Sequence, residues 1–387
     1  MKFLRDAFDK ARPNFSEGGK FAFLHSVFDG FETFMFVPGH ATHSKVHVRD
    51  GIDMKRTMIT VVVAMLPVLL FGIWNVGYQH FLATGEGESM MEQVITGLIQ
   101  VLPIIVVSYG VGLGIEFYFA QRRGHPINEG FLVSGLLIPL ILPPTIPLWM
   151  VALGTAFAVI IGKEVFGGSG MNLLNPALTA RVFLFFAYPA YMSGEFLSNG
   201  DAVWFLGNRE ALVDGFTGAT SLSQIAAGVD IQYSVWDMFM GFEKGSIGET
   251  SVLATLIGAF ILIISGIGSW KIMSSVFVGG FLMGTVFNMI GGTPFLEMPA
   301  YYHLLIGGFA FGAVYMATDP VSAAQTETGK IIYGLLIGVM TVLIRVANPA
   351  YPEGMMMAIL LMNVFAPTID YFVVESNKKR RLKRATV

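Results

Sequence analysis

The chain has 387 residues, 54% of them hydrophobic and only 13% charged, with a net charge of -3, whereas an ordinary soluble domain carries about 25% charged residues. That composition excludes an ordinary soluble enzyme and a nucleic-acid-binding module and marks an integral membrane protein. There is no cysteine, so the chain supplies neither thiolate ligands for an iron–sulfur cluster nor disulfides, and any redox chemistry must use an organic cofactor or another subunit.

Residues 1–56 mix charged and apolar residues, without the apolar run and small-residue cleavage site of a signal peptide. They read as a cytoplasmic N-terminal segment. Apolar runs long enough to cross a bilayer, roughly 20 residues each, follow at Thr57 to Tyr78, Val94 to Ala120, Gly130 to Leu148, Trp149 to Phe166 and Asn172 to Tyr191. After a polar interval they resume at Val252 to Gly268, Ile272 to Ile290, Tyr301 to Met316, Lys330 to Val346 and Met355 to Val374. The expected fold is an all-α polytopic membrane protein of about ten transmembrane helices. Its segments are a first membrane repeat over 57–195, a loop over 196–250, a second repeat over 251–376 and a basic tail over 377–387.

Lys and Arg in short loops set orientation. The tail holds Lys378, Lys379, Arg380, Arg381, Lys383 and Arg384, and the loop after the second run holds Arg122 and Arg123; both termini are therefore expected in the cytoplasm. The interval from Met192 to Thr250 then lies outside, in agreement with its excess of Asp and Glu, although a solvated loop on either side would also be acidic.

The two halves echo each other. Pro143-Pro144-Thr145-Ile146-Pro147 corresponds to Ala317-Thr318-Asp319-Pro320, and Gly167-Gly168-Ser169-Gly170 to Pro349-Ala350-Tyr351-Pro352-Glu353-Gly354. Five runs in each half make the duplication an inverted one, with broken helices meeting near the midplane as in transporters; the alternative is that Gly and Pro are simply common in membrane helices. Lys163, Glu164, Arg181, Arg345 and Asp370 fall within or at the ends of apolar runs, where a charge costs on the order of 3 kcal/mol at the bilayer centre. Lys163 and Glu164 lie near a helix end, from which they can reach headgroups, and Arg345 with Asp370 forms either a buried pair between two helices or part of an ion site. His125 and His303 read as interfacial residues.

The loop contains Asp214-Gly215-Phe216-Thr217-Gly218-Ala219-Thr220-Ser221-Leu222. This stretch resembles the flavinylation motif Asp-Gly-x-Ser/Thr-Gly-Ala-Thr-x-Leu, at which a flavin transferase joins the phosphate of FMN to the last threonine. Thr220 offers that hydroxyl, Asp214 is placed to position the phosphate or a metal in the transferase, and Gly215, Gly218 and Ala219 leave the backbone open to enzyme and cofactor. Thr217 stands where serine is common and keeps the hydroxyl. From Asn128-Glu129-Gly130-Phe131 through Gly162 to Gly168, Asn172 to Leu178, Ala317 to Ser322 and Asn348 to Met355, the chain is similar to the B-type membrane subunits of the bacterial sodium-translocating NADH:quinone oxidoreductases. The related D-type subunits of Rnf ferredoxin:NAD oxidoreductases share much of this but usually lack a long N-terminal segment.

The resemblance implies a covalent FMN on Thr220 and a second, non-covalent riboflavin near Asn172 and Asn175, whose amides suit the ring's donors and acceptors, although Asn-Pro at a helix start is also an ordinary cap and turn. It implies a ubiquinone site near Asn128, Glu129 and Gly130, and sodium coupling at Asp370, where a salt bridge to the basic tail is the structural alternative. The implied partners are the A, C, D, E and F components of the sodium-translocating complex, the flavin transferase, ubiquinone and Na+, in the bacterial inner membrane with the flavin loop periplasmic. The implied activity is electron transfer through the two flavins to quinone, coupled to sodium export, with NADH bound on another subunit. A small-solute transporter with the same repeat plan would not need the flavin motif, and a purely structural anchor would leave it idle.

Overall fold

The structure, a computed structural model, describes residues 2–16, 19–36, 52–85, 89–123, 131–213, 217–348 and 353–385. In chain order the helices are α1 (Lys2–Phe15), α2 (His25–Met35), α3 (Met54–Thr84), α4 (Met90–Arg123), α5 (Phe131–Leu140), α6 (Leu148–Ile160), α7 (Pro176–Ala187) and α8 (Pro189–Ser193). They continue with α9 (Ser221–Ala226), α10 (Val235–Met240), α11 (Val252–Ile264), α12 (Trp270–Ile290), α13 (Pro294–Glu297), α14 (Tyr302–Leu305), α15 (Phe309–Phe311), α16 (Glu327–Ala347) and α17 (Met355–Ala385). Among the described residues there is no strand, only two isolated bridges within 196–208.

Each expected apolar run falls on helix, yet among the described residues only six helices are long and apolar enough to cross a membrane: α3, α4, α6 with its extension to Phe166, α12, α16 and α17. The remaining expected runs fall on shorter or divided apolar helices. Helices α5, α7 and α11 are shorter apolar helices, and the run from Tyr301 to Met316 is divided into α14, α15 and one π turn, Gly312–Met316. The ends of α3 follow from local chemistry: Asp53 accepts a hydrogen bond from the Arg56 amide at 2.9 Å, and Gly85 closes the helix at φ 69°, a left-handed conformation that glycine adopts without steric cost.

Proline explains the first break. Pro143 and Pro144 lack amide donors, and each disfavours helix in the residue before it, so α5 stops at Leu140. The buried carbonyls this frees need partners, because lipid offers none. The loop before α11 supplies them: the Gly248 amide donates to the Leu140 carbonyl at 2.7 Å, and the Ile247 amide to the Leu142 carbonyl at 3.2 Å. Gln100 donates to the Pro144 carbonyl at 2.6 Å, and Thr145 to the Val203 carbonyl at 2.7 Å.

At the second break, between α14 and α15, a cation serves instead. Arg345 of α16 is fully buried and donates to the carbonyls of His303 at 2.6 Å, Ile306 at 3.0 Å and Glu353 at 3.2 Å. The expected Arg345–Asp370 pair is therefore not formed; the guanidinium donates to three backbone carbonyls instead, two of them at the helix break. His303 is fully buried rather than interfacial, because its ring is folded inward against Gly284 of α12.

Close helix packing is fixed by glycine. A Cβ on Gly97 of α4 would lie 1.7 Å from the Ile73 carbonyl of α3, and one on Gly338 of α16 would lie 2.1 Å from the Val276 carbonyl of α12. These contacts let two helix pairs approach backbone to backbone. Helices α1 and α2 form a small hairpin in which Phe15 stacks on Phe28 at 4.7 Å.

Candidate cofactor-binding site

Thr220 is the N-cap of α9. Its hydroxyl accepts from the Ser223 amide at 3.3 Å and shares a 3.1 Å hydrogen bond with the Ser223 hydroxyl. One turn earlier, Thr217 accepts from the Ala219 amide at 3.2 Å, a local turn that threonine favours. Asp214 and Gly215 lie outside the described residues. Gly218 and Ala219 do not form an open backbone stretch, as their residue types suggest, but are buried: a Cβ on Gly218 would come within 2.6 Å of the Phe196 ring. Small residues are needed here for packing. Leu222 lies against Gly307 at the second helix break, and with Ile225 it packs into a cluster containing Phe295, Met298 and Ile306.

Thr220 opens onto a cavity of about 180 Å³ whose walls include Phe185, Met192 and Trp204 and whose polar groups include Glu243, Lys244 and Ser246. An apolar wall facing hydroxyls and charged groups suits a flat ring bearing hydrogen-bonding edges, and Lys244 provides a cation in the same cavity as Thr220 that would suit a phosphate. The residues present fit FMN. Ser221 donates to Glu243, and Lys244 to the Thr217 carbonyl. Burial pushes the Glu243 carboxyl up to about 8, against hydrogen bonding from Ser221 and the charge of Arg345, and pushes the Lys244 ammonium down to about 8, against the pull of Glu195.

Because Glu243 is raised to about 8 from an ordinary 4.5, the folded state holds a proton that the unfolded chain releases. Its contribution to stability is complete below the unfolded value and is lost as pH rises through the folded one. The melting temperature in detergent is thus expected to fall between about pH 5 and pH 8, with a shallower slope in Glu243→Gln; equal slopes in the two proteins would refute this.

Beside the cavity, Arg181 of α7 donates to Glu249 at 2.5 Å, to Ser246 at 3.2 Å and to Glu353. One buried cation thereby joins α7, the loop before α11 and the residue range that opens α17. The sequence pattern singles out neither this cluster nor Glu243 and Lys244 as site residues. Glu243, Lys244 and Glu249 are ordinary acidic and basic residues of the loop before α11, which enters the first helix break at Ile247 and Gly248.

A second cavity, of about 190 Å³, lies near the start of α3, with Thr57, Ser134, Lys163, Asn172, Asn175 and Asp319 in its lining. The structure thus brings both predicted asparagines to one cavity. Asn175 also caps α7, accepting from Ala177 at 3.0 Å and Leu178 at 3.3 Å, and Asn172 donates to the Leu174 carbonyl at 2.9 Å. Their backbone roles coexist with lining the cavity. Lys163 pairs with Glu116 of α4, and Glu164 with Arg123 at 2.7 Å; both are buried rather than extended to headgroups. Burial raises the carboxyl of Asp319, which accepts from Ser322 at 2.7 Å.

Asp370 holds the loop before α16. It accepts from the Gln325 amide at 2.6 Å, the Thr326 amide at 3.0 Å and the Thr326 hydroxyl at 2.5 Å, which engages both oxygens. Hydrogen bonds to a charged group contribute about 1.5–3 kcal/mol each, so Asp370→Ala is expected to destabilise the protein by at least ~2 kcal/mol, read as a lower melting temperature; a wild-type value would contradict the clamp. Asn128, Glu129 and Gly130 lie outside the described residues.

The NQR2, RnfD, RnfE family model matches residues 41–379. The B subunit of the Na(+)-translocating NADH-quinone reductase of Chromohalobacter salexigens is 49% identical over 98% of this chain and 96% of its own. The proteins of the same name from Ectopseudomonas mendocina and Azotobacter vinelandii are 49% and 48% identical, over 98% of this chain and 99% of theirs. With the family model spanning most of its length, the chain belongs to the NQR2, RnfD, RnfE family.

Proposed function

We propose that the chain is the B-type membrane subunit of a sodium-translocating NADH:quinone oxidoreductase, with FMN joined through its phosphate to Thr220. The observation that carries this reading is the Thr220 hydroxyl, held in a turn at the mouth of a cavity with an apolar wall and a buried cation. Bound flavin supplies the one-electron chemistry that side chains lack. Thr220 tethers it, Phe185 and Trp204 exclude water, and Lys244 offers positive charge. The second cavity, at Asn172 and Asn175, is the place for riboflavin, with ubiquinone near Asn128, Glu129 and Gly130. The A, C, D, E and F components complete the complex, and the NADH site lies among them. For Asp370, three donors on one carboxylate support a structural clamp ahead of direct sodium ligation.

The long helices support one sidedness. The basic end of α17, residues 378–384, and Arg122 and Arg123 of α4 belong in the cytoplasm of a bacterial inner-membrane protein. Glu353, just before the opposite end of α17, lines the flavin cavity, which supports a periplasmic motif. The two cavities lie at different heights along α3: Thr57 lines the second, and Asn75, eighteen positions on and roughly 27 Å along the axis, bonds to Glu243 beside the first. This arrangement suits electron transfer across the membrane. The inverted repeat is supported by matching order: α4 packs on α6 as α12 packs on α16, and each half contains one broken segment.

Inverted membrane vesicles containing the complex should accumulate Na+ when given NADH and quinone, and removal of this subunit should abolish uptake. Uptake driven by reduced ferredoxin with NAD, but not by NADH with quinone, would transfer the chain to the Rnf branch.

A further inference from the structure

We infer that Lys244 is the positioning cation of the flavin arm, acting with Glu243 as a two-residue clamp that holds the Ser221 hydroxyl and the Thr217 carbonyl on either side of Thr220 and sets an ammonium against the phosphodiester formed there. The inference rests on the attachment reading of Thr220. Glu243 accepts from Ser221, the residue after Thr220, and Lys244 donates to the carbonyl of Thr217, three residues before it. Two consecutive side chains thus straddle the attachment point.

The clamp is anchored in the membrane domain. Asn75, buried in α3, donates to the Glu243 carbonyl at 3.0 Å and to the Thr250 hydroxyl at 3.3 Å, so the rigid span fixes residues 243–244, and these in turn fix the motif. Lys244 is only 3% exposed, too enclosed to dock a transferase, and its ammonium stands 5.8 Å from the centre of the Phe205 ring. Lys244 and Thr220 line the same cavity. An ammonium has three donors, and a phosphodiester monoanion nearby offsets the desolvation that dominates the lysine's environment. A fixed positive charge beside the arm also favours the reduced flavin, which carries more negative charge than the oxidised form.

The test uses the complete complex purified from membranes, with Lys244→Gln and Lys244→Arg in this subunit. Covalent flavin is read as fluorescence of the denatured chain on a gel, and its midpoint potential by redox titration. Lys244→Gln is expected to lower the one-electron equilibrium constant for reduction about tenfold, a shift of ~59 mV, with Lys244→Arg close to wild type. A Lys244→Gln flavin that titrates at the wild-type potential overturns the inference, as does a Lys244→Arg flavin shifted equally far. If Lys244→Gln loses the fluorescent band, a band retained in Lys244→Arg supports the clamp, and loss from both variants in assembled complexes overturns it. A wild-type chain without a fluorescent band overturns the attachment reading and the clamp with it, whereas a fluorescent wild type with an unshifted Lys244→Gln overturns the clamp alone.

Discussion

Thr220→Ala should remove flavin fluorescence from the denatured chain completely and abolish NADH-driven quinone reduction through the complex, while the protein still inserts and assembles. The structure also gives Thr220 a second role, which the experiment must separate from the first. As the N-cap of α9 it accepts from the Ser223 amide at 3.3 Å, and replacing such a cap with alanine costs ~1 kcal/mol. Asparagine caps as well as threonine but has no hydroxyl to form a phosphodiester. Thr220→Asn is therefore expected to melt like wild type without fluorescence, and Thr220→Ser to keep both properties. A fluorescent Thr220→Asn chain would sink the assignment. Attachment itself leaves the cap in place, because the ester oxygen retains a lone pair for the Ser223 amide.

The second large effect is expected at Arg181. Its guanidinium is almost fully buried and holds Glu249 and Glu353, themselves largely shielded from water. Removing one partner of a buried ion pair costs ~3–5 kcal/mol, because the remaining charge is left without compensation. Arg181→Met leaves two such carboxylates and should abolish or sharply reduce recovery of assembled complex. Replacing a whole buried cluster with neutral groups is often nearly neutral, so adding Glu249→Gln and Glu353→Gln to Arg181→Met should restore much of that recovery. Wild-type yield and melting temperature in the single variant would show that the cluster does not hold the halves together.

Much of this protein was legible because membrane helices obey a strong local rule: about twenty apolar residues in a row. Every predicted run coincides with a helical segment, and Pro143 and Pro144 sit where the first break falls; the second break, between Leu305 and Phe309, lies ahead of the Ala317 to Pro320 stretch that the sequence pairs with it. The count of full spans was not legible, because hydropathy measures composition over a window and does not register that α5 stops at Leu140 or that α14 and α15 are separate. The nine-residue motif announced itself through residue type and order. Its setting did not: Gly218 reads as an open loop glycine in sequence and proves to be the seat of the Phe196 ring.

The sequence by itself determined membrane class, the apolar segments, family membership and the identity of the hydroxyl offered at Thr220, since each depends on local composition or on a contiguous pattern. Only the tertiary structure decided what the buried charges do. Arg345 satisfies carbonyls at a helix break, Arg181 joins α7 to Glu249 and Glu353, Asp370 clamps Gln325 and Thr326, and Glu243 with Lys244 flanks Thr220. The physical reason is range. A charge in an apolar run must be compensated, but its partner stands tens or hundreds of residues away, and no local pattern distinguishes a carbonyl left open by a broken helix from a carboxylate or a cofactor.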